Sequence, residues 1–232
     1  MRRRAEERLE VVLPALEELA RAPRAGEVLD AVRLTGLDLA GADLPDLRLL
    51  EVELSGCRLD GARLPGARLS SVRLVDLAAR ALDAGGSSWR EVVVEGGRLG
   101  VLGLAGATLQ RVRASGARLH HVDARGARLH DVLLEDCTVG ELDLTDAEGA
   151  HVVLRRCRVE RLVLRGTDLA PPDGLDVTGA DVAVLDALDD RRAPLRGLVL
   201  SAAQATDLAE VLARHLGARV VDPAPREGSG AG

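Results

Sequence analysis

Ala117-Arg118-Leu119-His120-His121-Val122-Asp123-Ala124-Arg125-Gly126-Ala127-Arg128-Leu129 carries the pattern that decides the fold. A small or apolar residue returns every fifth position, here Leu119, Ala124 and Leu129. The five-residue step continues in both directions from Leu119, back to Leu34 and on to Leu169, for 28 units. The residue two before each of these centres is also small or apolar, as in Ala62, Val72, Ala107, Ala117, Ala127, Cys137 and Thr167. Neither set of positions holds a charge, although residues 32–169 contain 20 Asp and Glu and 19 Arg. Chance does not segregate charge in this way.

A period of five suits neither a 3.6-residue helix nor an uninterrupted strand. Short strands joined by tight corners produce it, with the centre and the residue two before it pointing inward and the other three outward. Four units make one turn of a square coil, so residues 20 apart stack at the strand spacing of about 4.8 Å. Seven such coils give a rod roughly 34 Å long. Glycine recurs two positions after the centre, at Gly36, Gly41, Gly56, Gly61, Gly66, Gly86, Gly96, Gly106, Gly116, Gly126 and Gly166. That is the corner position at which a type II turn requires positive φ. These glycines shape corners; no phosphate-cradling or dinucleotide spacing is present. Corners with Asp, Glu, Arg or Ser at that place are expected to form a different turn.

Units such as Ala42-Asp43-Leu44, Ala62-Arg63-Leu64, Ala117-Arg118-Leu119 and Ala127-Arg128-Leu129 resemble the pentapeptide-repeat family, whose motif is A(D/N)LxX. The resemblance implies an all-β solenoid, a right-handed quadrilateral β-helix of about seven coils. Ser87 to Gly97 and Leu195-Arg196-Gly197 with the helix after it are similar to an actinobacterial branch of that family. Family members usually place some Phe at the centres, whereas this chain has no Phe, no Tyr and one Trp.

The expected organisation is an N-terminal helical cap and linker over 1–31, then the β-helix over 32–184 with a register break at 170–174. A strand–helix–strand cap over 185–222 and a disordered tail over 223–232 follow. Leu9, Val12, Leu16 and Leu19 have roughly helical spacing, interrupted by Pro14. A helix laid over the open first coil explains them. After Ala170-Pro171-Pro172-Asp173-Gly174 the pattern resumes three residues out of phase at Leu175 and Ala180. Leu195 to Leu200 reads as a strand and Ser201 to Gln204 as a capping box. The helix that follows, roughly Ala202 to Leu216, sets Leu208, Val211, Leu212 and Leu216 on one face. Val220 and Val221 read as one more strand.

Candidate chemistry is sparse. Trp89 falls on a centre beside Ala79, Ala84 and Val94, which reads as a core tryptophan with its bulk compensated. Cys57, Cys137 and Cys157 share the inward column and read as buried thiols; stacking puts Cys137 and Cys157 within disulfide range, while zinc lacks further ligands. His120, His121, His130 and His151 lie at outward positions, in columns where charge alternates down the rod: Glu91, Arg111, Asp131, His151, and His121, Glu141, Arg161, with Asp136 beneath Arg156. No catalytic, cofactor or metal site is assigned, and an enzyme is not expected. No apolar run reaches the length of a bilayer span, and the Met-Arg-Arg-Arg start leads into Glu-rich sequence, so the expected location is the cytoplasm and no membrane partner is expected.

Two neighbouring outward columns differ in sign. One reads Asp43, Arg63, Asp83, Gly103, Asp123, Asp143, Val163, and the other Asp38, Arg58, Ala78, Arg98, Arg118, Thr138, Arg158. Asp43, Asp83, Asp123 and Asp143 form a candidate partner-binding stripe, against a reading of the same charges as a solvated surface. The expected function is a non-enzymatic scaffold that presents a charged rod to a protein partner. The resemblance implies an alternative, a DNA mimic acting on DNA gyrase or another type II topoisomerase. Duplex DNA of the rod's length would carry about 20 negative charges, while the net charge of the 32–169 ladder is small, so direct nucleic-acid binding is not expected and overall mimicry is poorly matched. The resemblance also implies a homodimer built on Leu208, Val211, Leu212 and Leu216, against a reading in which the helix only covers the end of its own rod and leaves a monomer.

Overall fold

The computed structural model describes residues 10–170, 174–187, 195–210 and 213. Their chain winds as a β-solenoid of about eight turns, nearly all sheet, with one short helix. Successive turns are parallel and in 20-residue register, as in Leu99↔Leu119 and Val122↔Leu142. Backbone hydrogen bonds run from coil to coil along the rod, for example Leu39 N–H to Arg58 C=O at 2.7 Å and Ala124 N–H to Asp143 C=O at 2.9 Å. Both inward columns are buried into one continuous core from Leu29 to Ala187, joined by Leu208. Charge was excluded from these positions because an ion there would be desolvated without a partner.

The ladder starts one unit earlier than expected, since Val28–Asp30 pairs with Arg48–Leu50 and Leu29 is a buried centre. Together with the coil expected past the 170–174 break, this gives about eight turns against the expected seven. Past the break, Leu175–Asp186 pairs with the long strand Glu148–Val163 at Val152↔Leu175 and Leu162↔Leu185, an offset three residues longer than the ladder's. Leu198–Val199 then pairs with Leu175–Asp176.

The helical reading of the N-terminal segment is corrected over its described part. Residues 10–21 hold no helix; Glu17–Glu18 is a short strand paired with Val32 and Arg33. Glu17 N–H donates to Ala31 C=O and Leu19 N–H to Arg33 C=O, at 3.0 and 2.8 Å. The first coil presents unpaired acceptors, and an extended segment meets them where a helix could not. Pro14, which cannot donate in a helix, favours that outcome. Leu9 lies outside the described residues, as do Pro171–Asp173, Asp189–Ala193, Val220, Val221 and the 223–232 tail.

A second correction concerns the corners. Non-glycine residues two after the centre adopt positive φ as glycine does: Glu51 at 52°, Asp76 at 49°, Arg111 at 56°, Asp136 at 53° and His151 at 58°. The altered corner occurs instead along one column. Gly41 and Gly61 are left-handed there, whereas Ala81, Val101, His121, Glu141 and Arg161 are not. The strands Ala78–Asp83, Arg98–Gly103, Arg118–Asp123 and Thr138–Asp143 run unbroken around it. Position in the coil, more than residue type, sets the turn.

The helix Ala202–Asp207 closes the far end. Ser201 and Gln204 form the expected capping box. Gln204 Nε2–H also donates to the carbonyls of Val177 and Ala180, each at 2.7 Å, and so satisfies acceptors of the last coil.

Candidate functional site

The register fixes each outward residue above its equivalent one turn away, so the rod's surface is a set of columns. The acidic column is assembled as the sequence implies, through the pairings Asp43↔Arg63, Arg63↔Asp83, Gly103↔Asp123 and Asp123↔Asp143. Most of its carboxylates are engaged locally. Gly85 N–H donates to Asp83 at 3.0 Å, Thr145 N–H and Oγ1–H donate to Asp143 at 2.9 and 2.6 Å, and Arg125 closes on Asp123 through Nε and Nη2 at 2.8 and 2.7 Å. That guanidinium holds the Asp123 carboxyl below its ordinary range. An Asp one before a centre thus binds the N–H two residues on and closes the corner. Asp43 is exposed and has no partner among the described residues.

The basic column is in register too, with Ala78↔Arg98, Arg98↔Arg118, Arg118↔Thr138 and Thr138↔Arg158. Its ends are neutralised: Arg58 makes a two-point pair with Asp38, which lowers the Asp38 pKa, and Arg158 lies 3.6 Å from Asp181. Its middle, Arg98 and Arg118, is exposed and makes no ion pair among the described residues.

The vertical charge ladders form in part, since Asp131 meets His130 and Arg161 meets Asp186, each at 3.6 Å, in place of their column neighbours. Arg111 meets Glu91 at 2.8 Å, His121 meets Glu141 at 3.4 Å, and Arg156 meets Asp136 at 2.7 Å. Sequence reasoning missed the diagonal pairs, which reach across columns. Arg73 bonds Glu95 at 2.6 Å, and Glu135 takes Arg113 and Arg156, each at 2.7 Å. The Arg113 bond, with Arg156 beside it, outweighs burial and holds the Glu135 carboxyl below its ordinary value. Val93, an outward residue, is only 3% exposed. It lies beside Arg73 in register, whose side chain crosses it to reach Glu95.

Within the core, Trp89 is 4% exposed. Its indole N–H donates to Ser87 Oγ at 2.8 Å, and Ser87 Oγ–H donates to Ala84 C=O at 2.6 Å. The three cysteines are buried free thiols. Cys57 donates to Leu34 C=O and Cys157 to Leu134 C=O, each at 3.4 Å. The neighbouring Cys157 thiol, together with burial, pushes the Cys137 pKa well up. His130 and His151 stack edge to face at 5.8 Å. Among the described residues no group of three or more His, Cys, Asp or Glu could hold a metal ion, and no helix is long and apolar enough to cross a membrane.

Of the proposed dimer face, Leu208 is buried against the chain's own last coil and belongs to the core cluster. Val211, Leu212 and Leu216 lie outside the described residues.

The family-model comparison agrees with this architecture. Residues 33–71 and 104–139 match the family model for pentapeptide repeats, in 8 copies. No curated protein matches the sequence. Full-length QnrB1, a plasmid-mediated fluoroquinolone resistance protein, aligns at 20% identity over 84% of this chain and 94% of its own, with a TM-score of 0.32. HetL, a pentapeptide repeat protein involved in heterocyst differentiation regulation from the cyanobacterium Nostoc, aligns at 19% identity over 73% of this chain and 85% of its own, with a TM-score of 0.29. With the repeat matched in two blocks and its register carried without a break between and beyond them, this chain carries pentapeptide repeats and the coil that they build.

Proposed function

We propose that the protein is a non-enzymatic scaffold, working in the cytoplasm, that binds a protein partner along the sides of its rod. The observation that carries this reading is the unneutralised middle of the basic column beside the acidic one. Many ionic side chains of the ladder are paired with a neighbour one coil away, yet Arg98 and Arg118 stack on each other at the strand spacing of about 4.8 Å, as Arg48 and Arg68 do away from the acidic column. Like charges directly opposite on adjacent strands destabilise a sheet. A surface that keeps such a pair is suited to a partner that supplies the opposite charge. Affinity capture from native lysate tests it, with wild type compared with a variant in which Arg98 and Arg118 are Gln. Failure of the wild type to retain any partner removes the scaffold reading.

The alternative is a DNA mimic that modulates DNA gyrase. It is supported by the acidic column, in which Asp123 and Asp143 are direct neighbours. Loss of supercoiling activity on addition of micromolar protein, abolished by changing Asp43 and Asp83 to Asn, would favour it over the scaffold reading. Unchanged supercoiling at that concentration would remove it.

A further inference from the structure

The side of the rod built from Ala78–Asp83, Arg98–Gly103, Arg118–Asp123 and Thr138–Asp143 carries a groove of about 530 Å³. One column explains its shape. Asp60, Arg80, Gly100, His120, Gly140 and Glu160 follow one another up this side, so long side chains alternate with none. The gaps are enforced by the backbone: a Cβ at Gly100 would lie 2.3 Å from Arg80 O, and one at Gly140 would lie 2.4 Å from His120 O. Arg98 and Arg118 stand beside these gaps, flanked along the rod by the short side chains of Ala78 and Thr138. Arg80 is partly satisfied by Asp60 at 3.5 Å, yet its side chain is 89% exposed.

We infer that this groove binds a short acidic segment of a partner protein, with Arg98 and Arg118 each taking a carboxylate and His120 and Arg80 flanking them. The inference rests on the scaffold reading and gives the partner its chemistry. Planar guanidinium groups match carboxylates bidentately, and an occupant carrying two of them relieves the repulsion between the stacked arginines. The ends of the groove argue for a short anion. Asp60 and Glu160 close it, and the adjoining side presents Asp83, Asp123 and Asp143, so an extended polyphosphate would run into like charge at each exit. Five rungs separate Asp60 from Glu160, about 24 Å, which accommodates about seven residues of extended peptide.

The test uses full-length protein and fluorescence anisotropy with labelled hexaglutamate, hexaglutamine and single-stranded oligothymidylate. Hexaglutamate is expected to bind, to weaken with salt, and to lose about tenfold or more in affinity in R98Q/R118Q, while R128Q, on another side of the rod, leaves it unchanged. Thermal melting of R98Q/R118Q is expected at or above wild type, because a repulsion has been removed. Hexaglutamate binding that is absent, or equal in R98Q/R118Q, overturns the inference. So does oligothymidylate binding that is as tight and equally lost, or a marked drop in melting temperature of the double variant. Lysate capture separates this from the scaffold reading: the same partner retained by wild type and R98Q/R118Q overturns the groove and leaves the scaffold standing.

Discussion

Replacing Ser87 by Ala isolates one hydrogen bond inside the rod. Ser87 is 1% exposed and accepts the indole N–H of Trp89, itself 4% exposed. Loss of the hydroxyl leaves two groups to account for. The Ala84 carbonyl keeps a donor, because Ser87 N–H also reaches it, at 3.2 Å. The indole N–H keeps none, and a buried donor left without an acceptor costs about 1–3 kcal/mol. For a chain of this size each kcal/mol lowers the melting temperature by about 2–4 °C. Ser88→Ala, one position away on an exposed side chain, is expected to change stability by less than about 0.5 kcal/mol. The single Trp makes the assay clean: urea unfolding followed by intrinsic emission reports the coil in which the change is made, and the native emission should be blue-shifted. A Ser87→Ala loss no larger than that of Ser88→Ala, or native emission like that of indole in water, would refute the reasoning.

Leu129→Asp should unfold the solenoid locally at a cost of several kcal/mol, and Arg128→Asp, on the exposed neighbour, should cost little, as read by urea unfolding. Gly126→Ala introduces a Cβ that meets nothing within 4 Å, at φ 62°, so its expected loss of about 1–2 kcal/mol is conformational. Ala81→Val, at the corner without positive φ, should be close to neutral in the same assay. The Arg21 guanidinium, through its hydrogen bond to Glu27, holds that carboxyl at about 2, against an ordinary 4.5. Between those values the unfolded chain takes up a proton that the folded chain refuses, so the pair's small surface contribution is present above pH 4.5 and is lost as pH falls toward 2. A carboxyl NMR titration should find Glu27 depressed in wild type and back in the ordinary range in Arg21→Ala.

The inward columns were legible because exclusion of charge is a signal repeated at every unit, and the burial of Leu119, Leu129, Cys137 and Trp89 follows from it. The vertical pairs Glu91–Arg111 and Asp136–Arg156 were legible for the same reason, since register alone stacks them. Register does not reveal reach. Arg113 passes over its direct neighbour Leu133 to bond Glu135, because a long guanidinium stem can cross to the next column while Leu133 offers it nothing. The corners at Glu51 and Arg111 were misjudged because a single left-handed residue costs about 1–2 kcal/mol. Departing from the corner shared with the coils on either side would break ladder hydrogen bonds on both edges, so the coil imposes the turn. Ser87 was hidden by its size: a serine in a column of alanine, valine and cysteine reads as filler until the indole beside it is placed. At the N-terminus, helical spacing in a short segment lost to the open edge of the first coil.

The corner column and the groove are connected. Gly41 and Gly61 turn the chain in the left-handed conformation, and from Ala81 onward glycine is absent at that corner and the strand runs through it. At the left-handed corner after Leu39 the carboxylate just before the centre helps to close the turn, since Asp38 Oδ1 accepts the Ala40 N–H at 3.1 Å. Where the strand is continuous, the residue at that position has no turn to close. Arg98, Arg118 and Thr138 occupy it, and their heads are free to face outward. In this column it is loss of the left-handed corner, and not loss of glycine as such, that marks the length of rod on which side chains are released from closing a turn. That length, from Ala81 to Arg161, spans the groove between Gly100 and Gly140 and the two unpaired arginines beside it.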